Sequence, residues 1–355
     1  MTHTDLGDKS IIIYIPDHVG LPDIFRENLQ SLGLTVYALV TPNPKNRISL
    51  KDTVLHNFRK IFKRDWTYKN KVFAKNRQHD IIQTNIKILN KIRGKTDYAL
   101  IIRPDLLSDD VIKKVENTTV KIIGYQWDGL DRFPAVYDKI RFFDQFFVFD
   151  KKDLAVDKRC KSITNFYFDH LFGQEEIRNT DVYFIGSYVE SRMQILTDLA
   201  VFFKDNNFIS DINIIGRQKK HILPPVVTGI NHSTEIIDFK KNYQHIKKTK
   251  AVLDLIDDAH TGLSFRVFEA IGFKKKLITN NPEVAKYDFY NPNNIFVIGE
   301  RNIEDIKDFM QIPFEELPED IHRKYGFENW LRNILDIPEY ITIEEQHNHT
   351  DGNNK

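Results

Sequence analysis

Short apolar runs recur along this chain, each closed by a turn residue and most followed by a helical stretch. Ile11-Ile-Ile-Tyr-Ile15 stops at Pro16, Asp23 to Leu32 has helical character and ends at Gly33, and Thr35 to Val40 is apolar again. Tyr98 to Ile102, Val120 to Tyr125 and Phe146 to Phe149 supply three further runs. Runs of this length and β-branched content suit buried parallel strands, and their alternation with helices predicts an open parallel sheet covered on both faces. The rhythm starts again near residue 181. Asp181 to Ile185 runs into Gly186-Ser187-Tyr188, Ser191 to Phe203 is helical, Ile212 to Ile215 ends in Gly216-Arg217, and Ala251 to Ile256 precedes another turn, helix and strand. The expected fold is α/β: two Rossmann-like parallel-sheet domains facing each other across a cleft at the carboxyl ends of their strands. No Gly-x-Gly-x-x-Gly follows the first strand, which argues against a dinucleotide-binding first half.

At 355 residues the chain is long for a single core. The expected division is one Rossmann-like domain over residues 1–165, a second over 166–322, a helix over 323–340 and a polar tail over 341–355. Phe149 to Asn179 has weak periodicity and is the expected linker. Phe327, Trp330, Leu331 and Ile334 form an i, i+3, i+4, i+7 stripe on the last helix. The tail from His347 to Lys355 is polar and Asn-rich, and disorder is expected there. The 51 basic and 50 acidic side chains nearly cancel, so no global charge points to nucleic acid. The single cysteine, Cys160, excludes an intrachain disulfide and a Cys-based zinc site, and fits a cytoplasmic location. Met1 to Ser10 lacks the basic-then-apolar order of a signal peptide, and no uncharged apolar run is long enough to span a bilayer. The cytoplasm, or the cytoplasmic face of the inner membrane, is the expected location.

The segment from Leu253 to Gly272 carries the clearest chemistry. It has the pattern of a buried strand, a turn at Thr261-Gly262-Leu263-Ser264 and a short helix, with another strand after Lys274-Lys-Lys. Such a turn can aim free N–H groups and a helix N-terminus at an anion. Arg266 and Glu269 lie three apart on one face of that helix, and Phe265 and Phe268 repeat the spacing on a neighbouring face that can pack down. An anion cradle, a cation and a carboxylate within one turn suit a ligand with phosphate and sugar hydroxyls. The plainer reading of Arg266 and Glu269 is a surface ion pair worth less than ~1 kcal/mol.

Three segments, in order, carry a resemblance: Tyr125-Gln-Trp-Asp-Gly-Leu-Asp-Arg-Phe-Pro134, Tyr183-Phe-Ile-Gly-Ser-Tyr188 and Gly262-Leu-Ser-Phe-Arg-Val-Phe-Glu-Ala270 with Asn280-Asn281 after it. Together they resemble bacterial glycosyltransferases of the two-Rossmann-domain (GT-B) class, in the group of lipopolysaccharide-core and capsule enzymes with their spore-maturation-type relatives. The likeness spans most of residues 11 to 335. It implies that the C-terminal domain holds a nucleotide-sugar donor, that the N-terminal domain holds a saccharide or lipid-linked saccharide acceptor, and that the last helix crosses back onto the first domain. Glu269 is then expected to accept hydrogen bonds from ribose hydroxyls. Arg266, the N–H groups at Leu263, Ser264 and Phe265 beside Gly262, and the Gly186-Ser187 loop would face the diphosphate. Arg217 and Arg192 are further candidate cations. Helix N-termini and Arg can stabilise the leaving diphosphate, so no metal or other cofactor is expected.

An inverting transfer needs a general base in the N-terminal domain; a retaining one does not, and both remain open. Asp128, just after the strand Val120–Tyr125, is the first candidate as base or acceptor ligand, and Asp17 and His18, just past Pro16, are the others. An Asx-turn before Gly129 is the competing use of Asp128. Within a long basic helical region from about Val54 to Arg93, Arg59, Lys60, Lys63, Arg64, Lys69, Lys71, Lys75 and Arg77 are interleaved with Phe58, Phe62, Trp66, Tyr68 and Phe73. That pattern suits peripheral contact with an anionic membrane, and equally a solvated helix with one packed face. His221, His232, His245 and His260 lack ligand spacing, and Asp257-Asp258 is expected to cap or hydrogen-bond rather than hold a metal. The expected function is sugar transfer onto a bacterial surface polysaccharide. The alternatives are a nucleotide-sugar epimerase or hydrolase on the same scaffold, or a non-catalytic sugar-nucleotide-binding subunit.

Overall fold

The computed structural model describes residues 6–42, 60, 67–171, 177–216, 229–256 and 262–343. The chain splits into two compact units, Met1–Phe147 with Ala155–Lys161, and Val148–Leu154 with Ser162–Lys355. Each is built on one six-stranded sheet, and both sheets are parallel, as the alternation of runs and helices predicts.

The first sheet uses β1 (Ser10–Tyr14), β2 (Thr35–Leu39), β3 (Thr96–Ile102), β4 (Thr119–Gln126), β5 (Gln145–Val148) and β6 (Cys160–Ser162), in the order β2-β1-β3-β4-β5-β6. Ile11, Ile13, Leu100, Ile101 and Ile123 are buried to 2% exposure or less, which explains why these strands are apolar without alternation. Helix α1 (Leu21–Ser31) buries Leu21, Ile24, Phe25 and Leu29. Behind it Gly33 sits at φ 89, a left-handed conformation that stops the helix at low cost. Helix α2 (Tyr68–Leu89) covers part of the expected basic region. Helix α3 (Asp109–Thr118) is capped by Ser108, whose Oγ accepts from the Val111 N–H.

The second sheet uses β7 (Thr180–Ser187), β8 (Ser210–Ile215), β9 (Ile230–Ser233), β10 (Thr249–Asp254), β11 (Lys276–Thr279) and β12 (Ile295–Val297), in the order β12-β11-β10-β7-β8-β9. Helices α4 (Glu190–Asp205), α5 (Phe239–Lys248) and α6 (Phe265–Gly272) flank it, followed by α7 (Ile306–Gln311), α8 (Glu319–Lys324) and α9 (Phe327–Leu335). One side of the core joins Phe184, Leu196, Phe203, Ile212, Leu253 and Phe296. In each sheet the strand order reverses once, between β1 and β3 and between β7 and β10. Connections leave such a switch point toward opposite faces, opening a crevice at the strand ends.

Gly186 and Ser187 are not a loop: they end β7 and pair with Ile214 and Ile215 of β8. The expected linker contains ordered, packed residues. Its Phe166 lies 4.2 Å from the Trp330 ring and 5.3 Å from Phe265, centroid to centroid, and Trp330 donates its indole N–H to the Thr164 carbonyl. All four residues of the C-terminal stripe, Phe327, Trp330, Leu331 and Ile334, are buried. Asp169 accepts from the N–H groups of Phe327 and Glu328, tying down the start of α9, and a Cβ at Gly326 would overlap that carboxylate. Among the described residues, no helix is long and apolar enough to cross a membrane.

Candidate functional site

At the switch point of the second sheet, β10 ends in Asp254, fully buried. One oxygen, Oδ1, accepts from the Ser264 hydroxyl at 2.7 Å and from Arg266 Nε at 3.0 Å; the other accepts from the Thr279 hydroxyl at 3.3 Å. Ser264 in turn caps α6 by accepting from the Arg266 N–H. The turn before it is held by its carbonyls: Asn281 Nδ2 donates to Gly262 and Asn165 Nδ2 to Leu263. Gly262 packs against the Phe149 ring, where any Cβ would collide. These bonds leave the N–H groups of Leu263, Ser264 and Phe265 with no acceptor among the described residues. Asn280 closes the other side, accepting from the Ile256 N–H at 2.8 Å.

Arg266 does not pair with Glu269, three residues on. Its Nε goes to Asp254 and its Nη1 donates to the Ile185 carbonyl at 3.1 Å, with Cζ 5.5 Å from the Phe184 ring centre. Nη2 has no partner among the described residues, and the side chain is 22% exposed. Glu269 is buried; among the described residues its Oε1 is bonded to Asn242 Nδ2 at 3.2 Å, and its buried Oε2 has no partner. Asn242 is itself oriented by the Tyr183 hydroxyl, which donates to its Oδ1 at 3.0 Å. Burial pushes the Glu269 carboxyl up to about 7, against the pull of Arg266 and Asn242. A buried orphan oxygen is an acceptor held ready for a donor, and such atoms are uncommon in native proteins.

The other expected cations differ in use. Arg192 spans the switch point, donating Nη1 to the Leu255 carbonyl and Nη2 to the Ser187 carbonyl. Gly186 makes room for it: a Cβ there would stand 2.9 Å from Nη2. Arg217 lies outside the described residues, as do Thr261, Asp257-Asp258, His221 and His260. His245 pairs with Asp211 at 2.8 Å, and His232 is exposed.

The first unit gathers its own cluster where β1, β3 and β4 end. Asp128 binds Arg103 Nη1 at 3.3 Å and Arg132 Nη1 at 3.2 Å. Arg103 also grips Asp105 through Nε and Nη2, both at 2.8 Å, and its guanidinium lies 3.6 Å from the Phe133 ring centre. Arg103 has φ 58, a left-handed backbone that costs of order 1 kcal/mol and tends to mark functional sites. Desolvation lowers the His18 pKa below the usual histidine value, opposed by the charges of Asp128 and then Asp17. The structure thus brings His18, Asp17 and Asp128 into one electrostatic neighbourhood. Sequence reasoning missed Arg103, Asp105 and Asp254, although each charge sits at or just past the end of a buried strand. Asn242 was missed with its helix; the signal was Asp238, which caps α5 from three residues before Lys241. Among the described residues, no group of three or more His, Cys, Asp or Glu could hold a metal ion.

No protein-family model matches the sequence, and no curated protein matches it. Solved structures do resemble it. An α,α-trehalose-phosphate synthase (UDP-forming) from Burkholderia xenovorans, in complex with glucose-6-phosphate, is 9% identical with a TM-score of 0.52, covering 92% of this chain and 99% of that one. A glycosyltransferase from Rickettsia africae is 14% identical with a TM-score of 0.50, covering 93% and 97%. An alpha-glucosyltransferase in complex with UDP-glucose and DNA containing an abasic site is 11% identical with a TM-score of 0.50, covering 92% and 94%. At these identities the fold is what is shared: the chain has the two-sheet α/β fold of GT-B glycosyltransferases.

Proposed function

We propose that this protein is a glycosyltransferase that moves a sugar from a nucleotide-sugar to a saccharide acceptor of a bacterial surface polysaccharide, lipopolysaccharide or capsule. One observation carries the reading. At the β7/β10 switch point a helix N-terminus and an arginine whose Nη2 has no partner among the described residues stand on the same helix as a buried carboxylate with an oxygen likewise unpartnered among them. The first two suit a diphosphate and the third suits a ribose hydroxyl. The UDP-glucose in the alpha-glucosyltransferase of like fold supports a nucleotide-sugar as donor.

As the glycosidic bond breaks, the leaving nucleoside diphosphate gains negative charge. Arg266 Nη2 and the N–H groups of Leu263, Ser264 and Phe265 offset that charge without a metal ion. The first unit takes the acceptor. In an inverting transfer His18 removes the acceptor proton, while Asp128, engaged with Arg103 and Arg132, favours the imidazolium that forms. The lipopolysaccharide or capsule role and a lipid-linked acceptor rest on the sequence resemblance, peripheral contact with the inner membrane on the basic, aromatic run from Arg59 to Arg77, and cytoplasmic residence on the single cysteine and the polar Met1 to Ser10.

The test is a thermal-shift screen of nucleoside diphosphates and nucleotide-sugars, followed by transfer assays with the stabilising donor and a saccharide panel. Stabilisation and transfer are expected. Donor turnover with no acceptor present would favour an epimerase or hydrolase. Binding without turnover across the panel would favour a non-catalytic sugar-nucleotide-binding subunit.

A further inference from the structure

The Asp254 carboxylate touches no solvent, so it contacts no ligand, yet three side chains converge on it. It takes the hydroxyl that caps α6, the Nε of Arg266 and the hydroxyl of Thr279 on β11. A buried carboxylate held only by neutral hydroxyls would be costly, and Arg266 is the cation that offsets it. The geometry of the pair matters as much as its charge. A guanidinium gripped at Nε by Asp254 and at Nη1 by the Ile185 carbonyl cannot turn about its own plane. The atom left over is Nη2. Because Oδ1 also holds Ser264, the arginine and the helix N-terminus are registered to a single oxygen atom.

We propose that Asp254 is a positioning residue for nucleoside-diphosphate binding: it fixes Arg266 and the turn of Ser264 in the conformation that receives the diphosphate before the ligand arrives. The ligand is then spared the ordering of a long flexible side chain, which is where preorganised sites gain their affinity. The proposal rests on the reading of the α6 turn as the diphosphate site.

The experiment measures binding of UDP, GDP, ADP and CDP, and of the matching nucleosides, by titration calorimetry. The proteins are the full chain, Asp254→Asn, Arg266→Ala and the double variant. With the diphosphate that binds best, Asp254→Asn is expected to weaken binding about tenfold, while adding it to Arg266→Ala weakens binding less than about twofold. Nucleoside binding is expected to stay unchanged. Equal losses in both backgrounds, equal losses for the nucleoside, or no loss at all would overturn the proposal. Should Asp254→Asn not fold, Arg266→Lys keeps the charge but lacks the Nε and Nη1 grip. It is expected to bind the diphosphate as weakly as Arg266→Ala, and full affinity in Arg266→Lys would overturn the proposal on its own. Failure of the unaltered chain to bind any of the four diphosphates would sink the donor-site reading, and the proposal with it.

Discussion

Arg266 places its Nε 3.0 Å from Oδ1 of Asp254, twelve residues earlier in the chain, and leaves Glu269 on its own helix without an ion pair. The i, i+3 spacing of Arg266 and Glu269 invites the opposite expectation. Position decides between them: both carboxylates are buried, but Asp254, at the sheet end, lies within hydrogen-bond reach of the guanidinium and takes it. Of these two buried carboxylates, Asp254 alone is bonded to Arg266. The uncompensated charge falls on Glu269, whose pKa rises to about 7.

That shift makes stability fall as pH rises. Below the ordinary carboxyl value Glu269 is protonated in both folded and unfolded chains. Between that value and about 7 the folded chain keeps a proton that the unfolded chain has lost, and above about 7 the penalty is constant. The cost is on the order of a few kcal/mol. Glu269→Gln is therefore expected to gain thermal stability over the unaltered chain at pH 8 and to lose that gain at pH 4.5. Parallel Tm-against-pH curves for the two proteins would contradict this.

Ligand contacts at the same site predict a different signature. Glu269→Ala is expected to raise the donor KM by about tenfold or more with a smaller change in kcat, as for an interaction already made in the ground state, and Arg266→Ala to raise KM and to lower kcat as well, since its Nη2 faces the charge that develops on the leaving diphosphate. Initial-rate kinetics with the donor varied at fixed acceptor check it. Unaltered donor kinetics would remove both residues from the site.

His18 offers a test that needs no substrate. Its pKa is lowered mainly by desolvation, and Asp128 pulls it back up. An NMR titration is expected to place the His18 midpoint below the usual histidine value, and Asp128→Asn should move it lower still. In assays, the acid limb of the kcat/KM profile should follow that midpoint, with His18→Ala losing about 100-fold or more in kcat if it is the base. A midpoint that ignores Asp128→Asn would break the link between the two residues.

The strand cores were legible because burial on both faces removes alternation, and Ile11 to Ile15 or Ala251 to Ile256 could be little else. Helix α9 was legible from one stripe, since all four of its members are buried. Strand β9 was not: its residues Ile230-Asn-His-Ser233 include two exposed polar side chains at a sheet edge, so no apolar pattern exists to find. Helix α5 escaped for a different reason, its buried Asn242, which serves Glu269, and Tyr243 interrupting the apolar stripe with polar groups. At the candidate site the sequence showed the α6 turn but not its anchor. Asp254 lies ten residues before Ser264, and only the return of the chain brings the two within 2.7 Å.

Gly262 is a steric requirement of that turn. Its backbone lies against the Phe149 ring, and a Cβ would overlap three ring atoms. Gly262→Ala is expected to destabilise the fold by about 1–3 kcal/mol, the usual cost of overpacking, and to weaken nucleotide binding. Adding Phe149→Ala should restore part of the lost affinity by opening the space. A Gly262→Ala variant with unchanged Tm and binding would show that the turn can move aside at no cost.

The basic helix gives the last test. Along α2 the side chains of Lys69, Lys71, Lys75 and Arg77 are exposed, while Ile81, Asn85 and Leu89 nearer its end are buried. The helix is thus packed at one end and presents its charge at the other. Phe58, Arg59, Phe62, Lys63, Arg64 and Trp66 lie outside the described residues. Each lysine or arginine near an anionic bilayer contributes about 1 kcal/mol, so four can hold a protein at a surface at low salt but not at high salt. Flotation with vesicles containing phosphatidylglycerol is expected to carry the protein upward at low ionic strength. Replacing the four residues with Gln should abolish that while leaving soluble nucleotide binding intact. If the four-Gln variant floats as the unaltered chain does, α2 is a solvated helix and membrane contact, where it occurs, lies elsewhere.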